Sequence, residues 1–311
     1  MSGSRRRLIS IMVALVVAVA IGLLLWARPL NVPDNNASRR GLPGTVVQII
    51  AGPAGGELRT PLDVAVGPDG RIYVADAGGN QVKVFSGKGE PVGLLGEPDH
   101  GFVYPNTVAV APNGQIYVGE FQKQRVQVFA PDGSYVQTIG AGVAGQPLEP
   151  LDLALDGRGN LYIADRRGMI VVLDGEGKLL RKIDRVGASP ANLAFPNGIA
   201  VDAAGRILVA DSGHRRVLLL EAGGNLIASY SGTELNYPRG VGFAGGDRMV
   251  VADTFGSQVL LLDGGFGLLK AMRLDNRAGA GAGLPNGLWV LGERVYVADR
   301  LGNRIVVFKV E

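Results

Sequence analysis

The chain contains no cysteine and only two histidines, His100 and His214. Without cysteine there is no disulfide framework, no thiolate metal site, no catalytic thiol and no lipid-modified N-terminal cysteine. Two imidazoles are too few for a three-histidine zinc site. Aromatic residues make up 6% of the 311 positions, and neither they nor the methionines gather into a box. HExxH, P-loop and nucleophile-elbow patterns are absent as well. A net basic charge is missing from the folded part of the chain. Residues 1–43 carry +5 and the whole chain +3, which leaves −2 on residues 44–311. Nucleic-acid binding needs a basic face on the domain itself, so that class is excluded.

Glycine is abundant, with 48 residues, and 47% of the chain is hydrophobic. This is a composition for many tight turns around a large core rather than for a helical protein. A strand signature ending in an acid recurs six times: IYVAD (72–76), IYVGE (116–120), LYIAD (161–165), ILVAD (207–211), MVVAD (249–253) and VYVAD (295–299). The acids Asp76, Glu120, Asp165, Asp211, Asp253 and Asp299 are 44, 45, 46, 42 and 46 positions apart. That period, with strand chemistry in each copy, predicts an all-β, six-bladed β-propeller over residues 44–311.

Each copy carries the signals of a four-stranded blade. A proline opens an apolar strand, as in PLDVAV (61–66) and PNGIAV (196–201), and a Pro/Asp/Asn/Gly turn follows. The acid-ending strand comes next, then a short loop and a third strand such as RVQVF (125–129), then a looser fourth such as YVQTIG (135–140). Alternation sets Ala65, Ala109, Ala154, Ala200 and Gly242 on one face of the first strands, where small side chains let large neighbours pack. Trp289 breaks the series, either filling a wider gap at the closing blade or facing a ligand. The sixth copy stops after its third strand, while GTVVQIIAG (44–52) stands alone before the first proline and is expected to complete the last blade.

Ahead of the repeats, Leu8–Trp26 is a run of 19 uncharged residues in which Ser10 is the one polar side chain. As a helix it would reach about 28 Å, close to the bilayer core of about 30 Å. Arg5, Arg6 and Arg7 flank one side and Trp26 the other, so the expected orientation is N-terminus cytoplasmic and propeller extracytoplasmic. Ala18-Val19-Ala20 resembles a signal-peptidase site, but the apolar run continues beyond it, which favours an uncleaved anchor. The expected organisation is a basic cytoplasmic tail (1–7), a transmembrane signal-anchor helix (8–27), a polar tether (28–43) and the propeller (44–311), a single-pass protein of the cell membrane.

The run PNGIAVDAAGRILVADSGHRRVLLL (196–220) resembles the NHL repeat, and the likeness extends over about residues 44–311. The resemblance implies binding on the face that carries the second-to-third-strand loops and the inter-blade loops, around the axial channel. Two rings of residues belong to that face. The ring of acids, Asp76, Glu120, Asp165, Asp211, Asp253 and Asp299, occurs in every blade and reads as structural, its carboxylates accepting from loop N–H groups. Arg125, Arg216 and Arg304 are placed to add ion pairs. The second ring follows the strand-opening prolines and varies from blade to blade, with Asp63, Asn106, Asp152, Asn197, Arg239 and Asn286 as the ligand-binding candidates. Its oxygens suit Ca²⁺, and its mixed polarity suits a peptide or sugar; the same residue types are also common turn residues.

Six-bladed enzymes of similar build include the peptidyl-hydroxyglycine amidating lyase, whose zinc is held by three histidines. The corresponding positions here hold Asn80, Gln124, Arg215, Ser257 and Asn303, with His214 one residue earlier. To the gluconolactonase and strictosidine synthase-like propellers the resemblance is one of blade number, with no motif for their metal site or catalytic Glu. The inter-blade loop GEPDHGFVYPN (96–106) adds His100, Phe102 and Tyr104 as loop candidates, and His214 joins them. The expectation is a membrane-anchored binding or scaffold propeller for a protein, peptide or glycan partner. The alternative is a metal-dependent lyase or lactonase at the channel mouth.

Overall fold

A computed structural model describes residues 45–50, 58–96, 101–140, 145–186, 193–274 and 283–310. The expected anchor helix (8–27), the tether (28–43) and His100 lie outside the described residues. Among the described residues no helix is long and apolar enough to cross a membrane.

Among the described residues, twenty-four strands form six four-stranded antiparallel sheets. The first blade shows the rule: β2 (Pro61–Val66), β3 (Ile72–Asp76), β4 (Gln81–Phe85) and β5 (Pro91–Leu94) pair in chain order. The last blade departs from it. Its strands β22 (Pro285–Leu291), β23 (Arg294–Asp299) and β24 (Arg304–Lys309) are completed by β1 (Thr45–Ile50), which pairs antiparallel with β24 from Thr45↔Lys309 to Ile50↔Ile305. The segment left over at the start of the repeats thus supplies the strand missing at their end.

Side-chain alternation builds the core between blades rather than at a centre. Six buried clusters each span two neighbouring blades, and the one containing Ile50, Val64, Phe85, Tyr296 and Val307 joins the last blade to the first. Ala65, Ala109 and Ala154 stand opposite Tyr73, Tyr117 and Tyr162 across the first two strands, so a small residue makes room for each buried ring. At the closing blade Trp289 faces Tyr296 instead. It packs against the clusters on both sides of the first blade and lines the channel, and its buried indole N–H has no partner among the described residues.

Two backbone devices shape the channel face. The ladder between first and second strands is bulged just after the strand-opening proline, between Pro61 and Asp63, Pro150 and Asp152, Pro196 and Gly198, Pro238 and Val241, and Pro285 and Leu288. A bulge re-aims the extra side chain, and here that residue is Leu62, Leu151, Asn197, Arg239 or Asn286. Glycine then lets inner strands approach closely. A Cβ at Gly198 would lie 1.7 Å from the Arg239 carbonyl oxygen, and one at Gly287 would lie 2.0 Å from Asp63 Oδ1.

Candidate functional site: the loop-face vestibule of the axial channel

The ring of acids lies behind the channel wall. All six side chains are fully buried. Each accepts from a backbone N–H of the inter-blade loop 15 to 17 residues upstream: Asp76 from Arg59, Glu120 from Val103 (2.7 Å), Asp165 from Glu149 (2.9 Å), Asp211 from Ala194 (2.7 Å), Asp253 from Tyr237 (2.6 Å) and Asp299 from Leu284 (3.0 Å). Cations close the remaining lone pairs, with Arg125 Nε on Glu120 at 2.6 Å, Arg216 Nε on Asp211 at 2.7 Å and Arg304 Nε on Asp299 at 2.9 Å. Arg167 makes the same pair with Asp165 at 2.8 Å, and Lys83 with Asp76 at 3.3 Å. A charge-assisted set of this kind clamps each inter-blade loop to its blade.

The position occupied by Asn80, Gln124, Arg215, Ser257 and Asn303 has a backbone role. All five sit at positive φ between 49° and 53°. The third blade places Gly168 there, at φ 85°. Asn80 Oδ1 accepts from Tyr104 N at 2.8 Å, and Asn303 Oδ1 from Thr60 N at 2.9 Å. His214 stands on the short 3₁₀ turn Ser212–His214, 38% exposed, with Nδ1 2.8 Å from Asp211 Oδ2.

Most members of the second ring staple neighbouring blades together. Asn106 Nδ2 donates to the Pro150 and Leu151 carbonyls at 2.9 and 3.0 Å, and its Oδ1 accepts from Phe121 N. Asn286 Nδ2 donates to the Leu62 carbonyl at 3.0 Å, across the closure from last blade to first. Asn197 Nδ2 donates to Ser212 Oγ at 2.9 Å, and that hydroxyl donates to the Pro238 carbonyl. Thr254 Oγ1 donates to the Pro285 carbonyl at 2.6 Å.

Asp63 and Asp152 meet through Thr107. Thr107 Oγ1 lies 3.0 Å from Asp63 Oδ2 and 2.8 Å from Asp152 Oδ1. A hydroxyl has one hydrogen to donate, so two ionised carboxylates would leave one contact without a proton. The consistent arrangement has Asp63 as the acid, donating to Thr107, which donates to an ionised Asp152. Val108 N donates to Asp63 Oδ2 at 2.9 Å, while Leu153 N and Ile199 N donate to Asp152, each at 2.8 Å. Burial, and then the Asp152 charge, raises the Asp63 carboxyl well above its ordinary value; burial raises Asp152 to about 6. These oxygens are already taken by N–H and O–H donors, whereas Ca²⁺ takes about six to eight oxygen ligands. Among the described residues no group of three or more His, Asp or Glu side chains is arranged to hold a metal ion.

A stability consequence follows with a definite sign. Both folded values lie above the unfolded carboxyl value of about 3.9. The stabilisation is therefore complete below that value and is lost as pH rises through the folded ones, near 6 for Asp152 and well above the ordinary carboxyl value for Asp63. Asp63→Asn removes the titration, and because Thr107 and Val108 N–H both meet Oδ2 its amide keeps one of those two contacts. The variant is expected to show a smaller change in melting temperature than wild type between about pH 5 and pH 8. Thermal melts across that range check it, and parallel curves for the two proteins would show that the pair does not share a proton.

Asp63 and Asp152, joined through Thr107, line both cavities of the channel. On the opposite face the channel opens into a cavity of about 380 Å³ lined mainly by apolar residues, among them Val66, Leu155, Phe243 and Trp289. On the loop face lies a vestibule of about 410 Å³. Its lining brings together all six second-ring candidates, Asp63, Asn106, Asp152, Asn197, Arg239 and Asn286, with Leu62, Leu151, Tyr104, Phe121, Gln122 and Arg300. Of the loop candidates, Tyr104 therefore faces the vestibule, whereas Phe102 turns into the core, its ring 5.6 Å from that of Phe129. Sequence reasoning missed Phe121 and Arg300. Each directly follows a ring acid, and the blade-to-blade variety of that position (Ala77, Phe121, Arg166, Ser212, Thr254, Arg300) was the available signal.

This architecture defines a six-bladed β-propeller with a polar vestibule on its loop face. More particularly, the family model for the NHL repeat matches residues 58–85, 102–129 and 193–218. Over 100 residues the chain is 31% identical to NHL repeat-containing protein 3 of Homo sapiens, and the match spans 28% of the length of each. Among solved structures it resembles a catalytically inactive virginiamycin B lyase from Staphylococcus aureus with quinupristin (TM-score 0.61, 14% identity, 81% of this chain and 80% of that one). A nidogen/laminin complex has a TM-score of 0.58 at 20% identity, covering 70% of this chain and 81% of that one. Kuenenia stuttgartiensis hydrazine synthase has 0.59 at 17%, covering 81% and 77%. At these identities the three share the fold.

Proposed function

We propose that this protein is a membrane-anchored, extracytoplasmic binding propeller that holds a protein, peptide or glycan partner on its loop face. The observation that carries the reading is the vestibule itself. It is a pocket on the scale of a small-molecule or terminal-group site, on the order of 300–1,000 Å³, lined by residues that differ from blade to blade. Loop-face positions around it, Phe195, Phe255 and Leu301, leave apolar side chains in solvent at 46%, 54% and 60% exposure. A polar pocket rimmed by exposed apolar groups has the composition of a recognition surface. The uncharged run Leu8–Trp26 with its arginine flank supports the anchored, outward-facing topology. One of the similar folds, the nidogen/laminin complex, is a protein–protein assembly.

Affinity capture from the host's envelope fraction tests this, using the full chain and a variant with Phe195, Phe255 and Leu301 changed to serine. Wild type is expected to retain a defined partner that the triple variant releases. Equal recovery by both, or none by either, would remove the reading.

The competing reading, a metal-dependent lyase or lactonase at the channel mouth, is favoured by one feature, the proton-sharing Asp63–Asp152 pair beside the vestibule. A carboxyl poised near neutrality is a common general base. Elemental analysis of the purified full chain separates the two, since the enzyme requires stoichiometric Ca²⁺ or Zn²⁺.

A further inference from the structure

Arg239 is a mostly buried cation without a counter-ion among the described residues. The bulge of strand Pro238–Ala244 carries it into the vestibule wall. Its Nη1 donates to Asn286 Oδ1 at 2.9 Å, its guanidinium lies 5.5 Å from the Tyr237 ring centroid, and its buried Nε has no partner. Among the described residues it makes no ion pair with a carboxylate. The groups that act on it electrostatically are the Tyr237 and Tyr104 hydroxyls and a second guanidinium, Arg300. Burial pushes Arg239 below its ordinary value and Arg300 adds to this, with the two tyrosines offsetting part of it. Asp63 and Asp152 lie in the same cavity, but they are engaged by Thr107 and by backbone amides. An uncompensated buried charge is costly to a fold, and an anion entering the vestibule removes that cost.

We propose that the loop-face vestibule is a carboxylate-binding site, in which Arg239 and Arg300 receive the anionic group and Asn197, Tyr104 and Phe121 enclose the remainder of the ligand. This rests on the reading of the loop face as a binding surface and specifies the chemistry it takes. A planar guanidinium matches a carboxylate in shape. The neighbouring Asp152 opposes a doubly charged phosphate more than a single carboxylate. The cavity admits a small acid or a chain terminus and excludes a folded partner from its depth. Asn197 Oδ1, whose amide nitrogen is engaged by Ser212, is left to accept a hydrogen bond from the ligand.

Titration calorimetry on the full-length protein in detergent tests the site with three probes: butyrate, acetyl-diglycine with its free carboxylate, and the same peptide as its amide. One or both acids are expected to bind and the amide to give no heat. Butyrate as the tighter ligand identifies a free small acid as the source, and acetyl-diglycine as the tighter one identifies a polypeptide C-terminus. Arg239→Leu is expected to abolish binding while melting at or above wild type without probe, since it removes an unpaired charge. The exposed Arg300→Ala is expected to weaken binding roughly tenfold, and it serves as the test should Arg239→Leu misfold. The site is overturned if neither acid binds, if the amide binds as well as the acid, or if both variants bind as wild type does. A partner captured equally by wild type and Arg239→Leu overturns the carboxylate site alone and leaves the binding-propeller reading standing; capture by neither removes both.

Discussion

Deleting Thr45–Ile50 is expected to leave the protein aggregating or unfolded. The segment is the fourth strand of the last blade, hydrogen-bonded to β24 along its length. Without it, β24 presents a row of unpaired N–H and C=O groups, the template for association with another chain. The loss also reaches the core. Ile50 is 1% exposed and belongs to the cluster that seals the last blade against the first, while Val46 packs on the cluster between the fifth and sixth blades. Truncating a buried isoleucine alone costs about 2–5 kcal/mol, against a whole-domain stability of roughly 5–15 kcal/mol. The deletion adds five more residues and a complete backbone ladder to that. Soluble yield and the cooperativity of the thermal melt are the measurements, and a soluble truncated protein with a single sharp transition would show that the ring closes without this strand.

The same strand shows why the architecture could be read from the sequence. A six-fold repeat with one copy short of a strand and one unassigned strand at the other end has a single economical solution. Third strands were legible to within a residue, as with Gln81–Phe85, Arg125–Phe129, Arg216–Leu220 and Gln258–Leu262, because their apolar alternation is bounded by turn residues on both sides. The start of the second blade's first strand was less sharp. The sequence places it from Pro105, whereas the strand runs Thr107–Val110, with Asn106 N still donating to the Gly119 carbonyl at 3.0 Å.

The site was legible in membership and illegible in connectivity. Proline-anchored alignment of the copies picks out Asp63, Asn106, Asp152, Asn197, Arg239 and Asn286, and all of them line one cavity. Nothing in the one-dimensional pattern says that Thr107 bridges Asp63 and Asp152, since the three come from different blades, 44 and 45 positions apart. Nor does it say that Arg239 lacks a carboxylate partner, because the chain has 28 acids and pairing is decided by packing. The ring acids illustrate the same limit. An acid at a strand end suggests a local turn bond, whereas the main acceptance is from an inter-blade loop that folds back from 15 to 17 residues upstream. The fold sets those distances, and a motif carries no record of them.

That long-range acceptance makes the acidic ring the most sensitive polar feature of the molecule. Asp211→Ala is expected to destabilise the protein by about 3–5 kcal/mol, the cost of leaving a buried charged partner uncompensated. The side chain is fully buried and holds Ala194 N at 2.7 Å, His214 Nδ1 at 2.8 Å and Arg216 Nε at 2.7 Å. Its removal strands an arginine and releases the loop that carries Phe195 to the channel face. Asp211→Asn should cost nearly as much, because an amide accepts through one oxygen and turns an N–H toward the Arg216 donor. His214→Ala should cost far less, since the imidazole is 38% exposed and solvent can replace its bond. Urea unfolding distinguishes these cases by the midpoint at constant slope. If Asp211→Ala instead unfolded within about 1 kcal/mol of wild type, the acid would be dispensable to the fold. The ring of acids, rather than the variable ring inside it, would then be the place to look for the ligand.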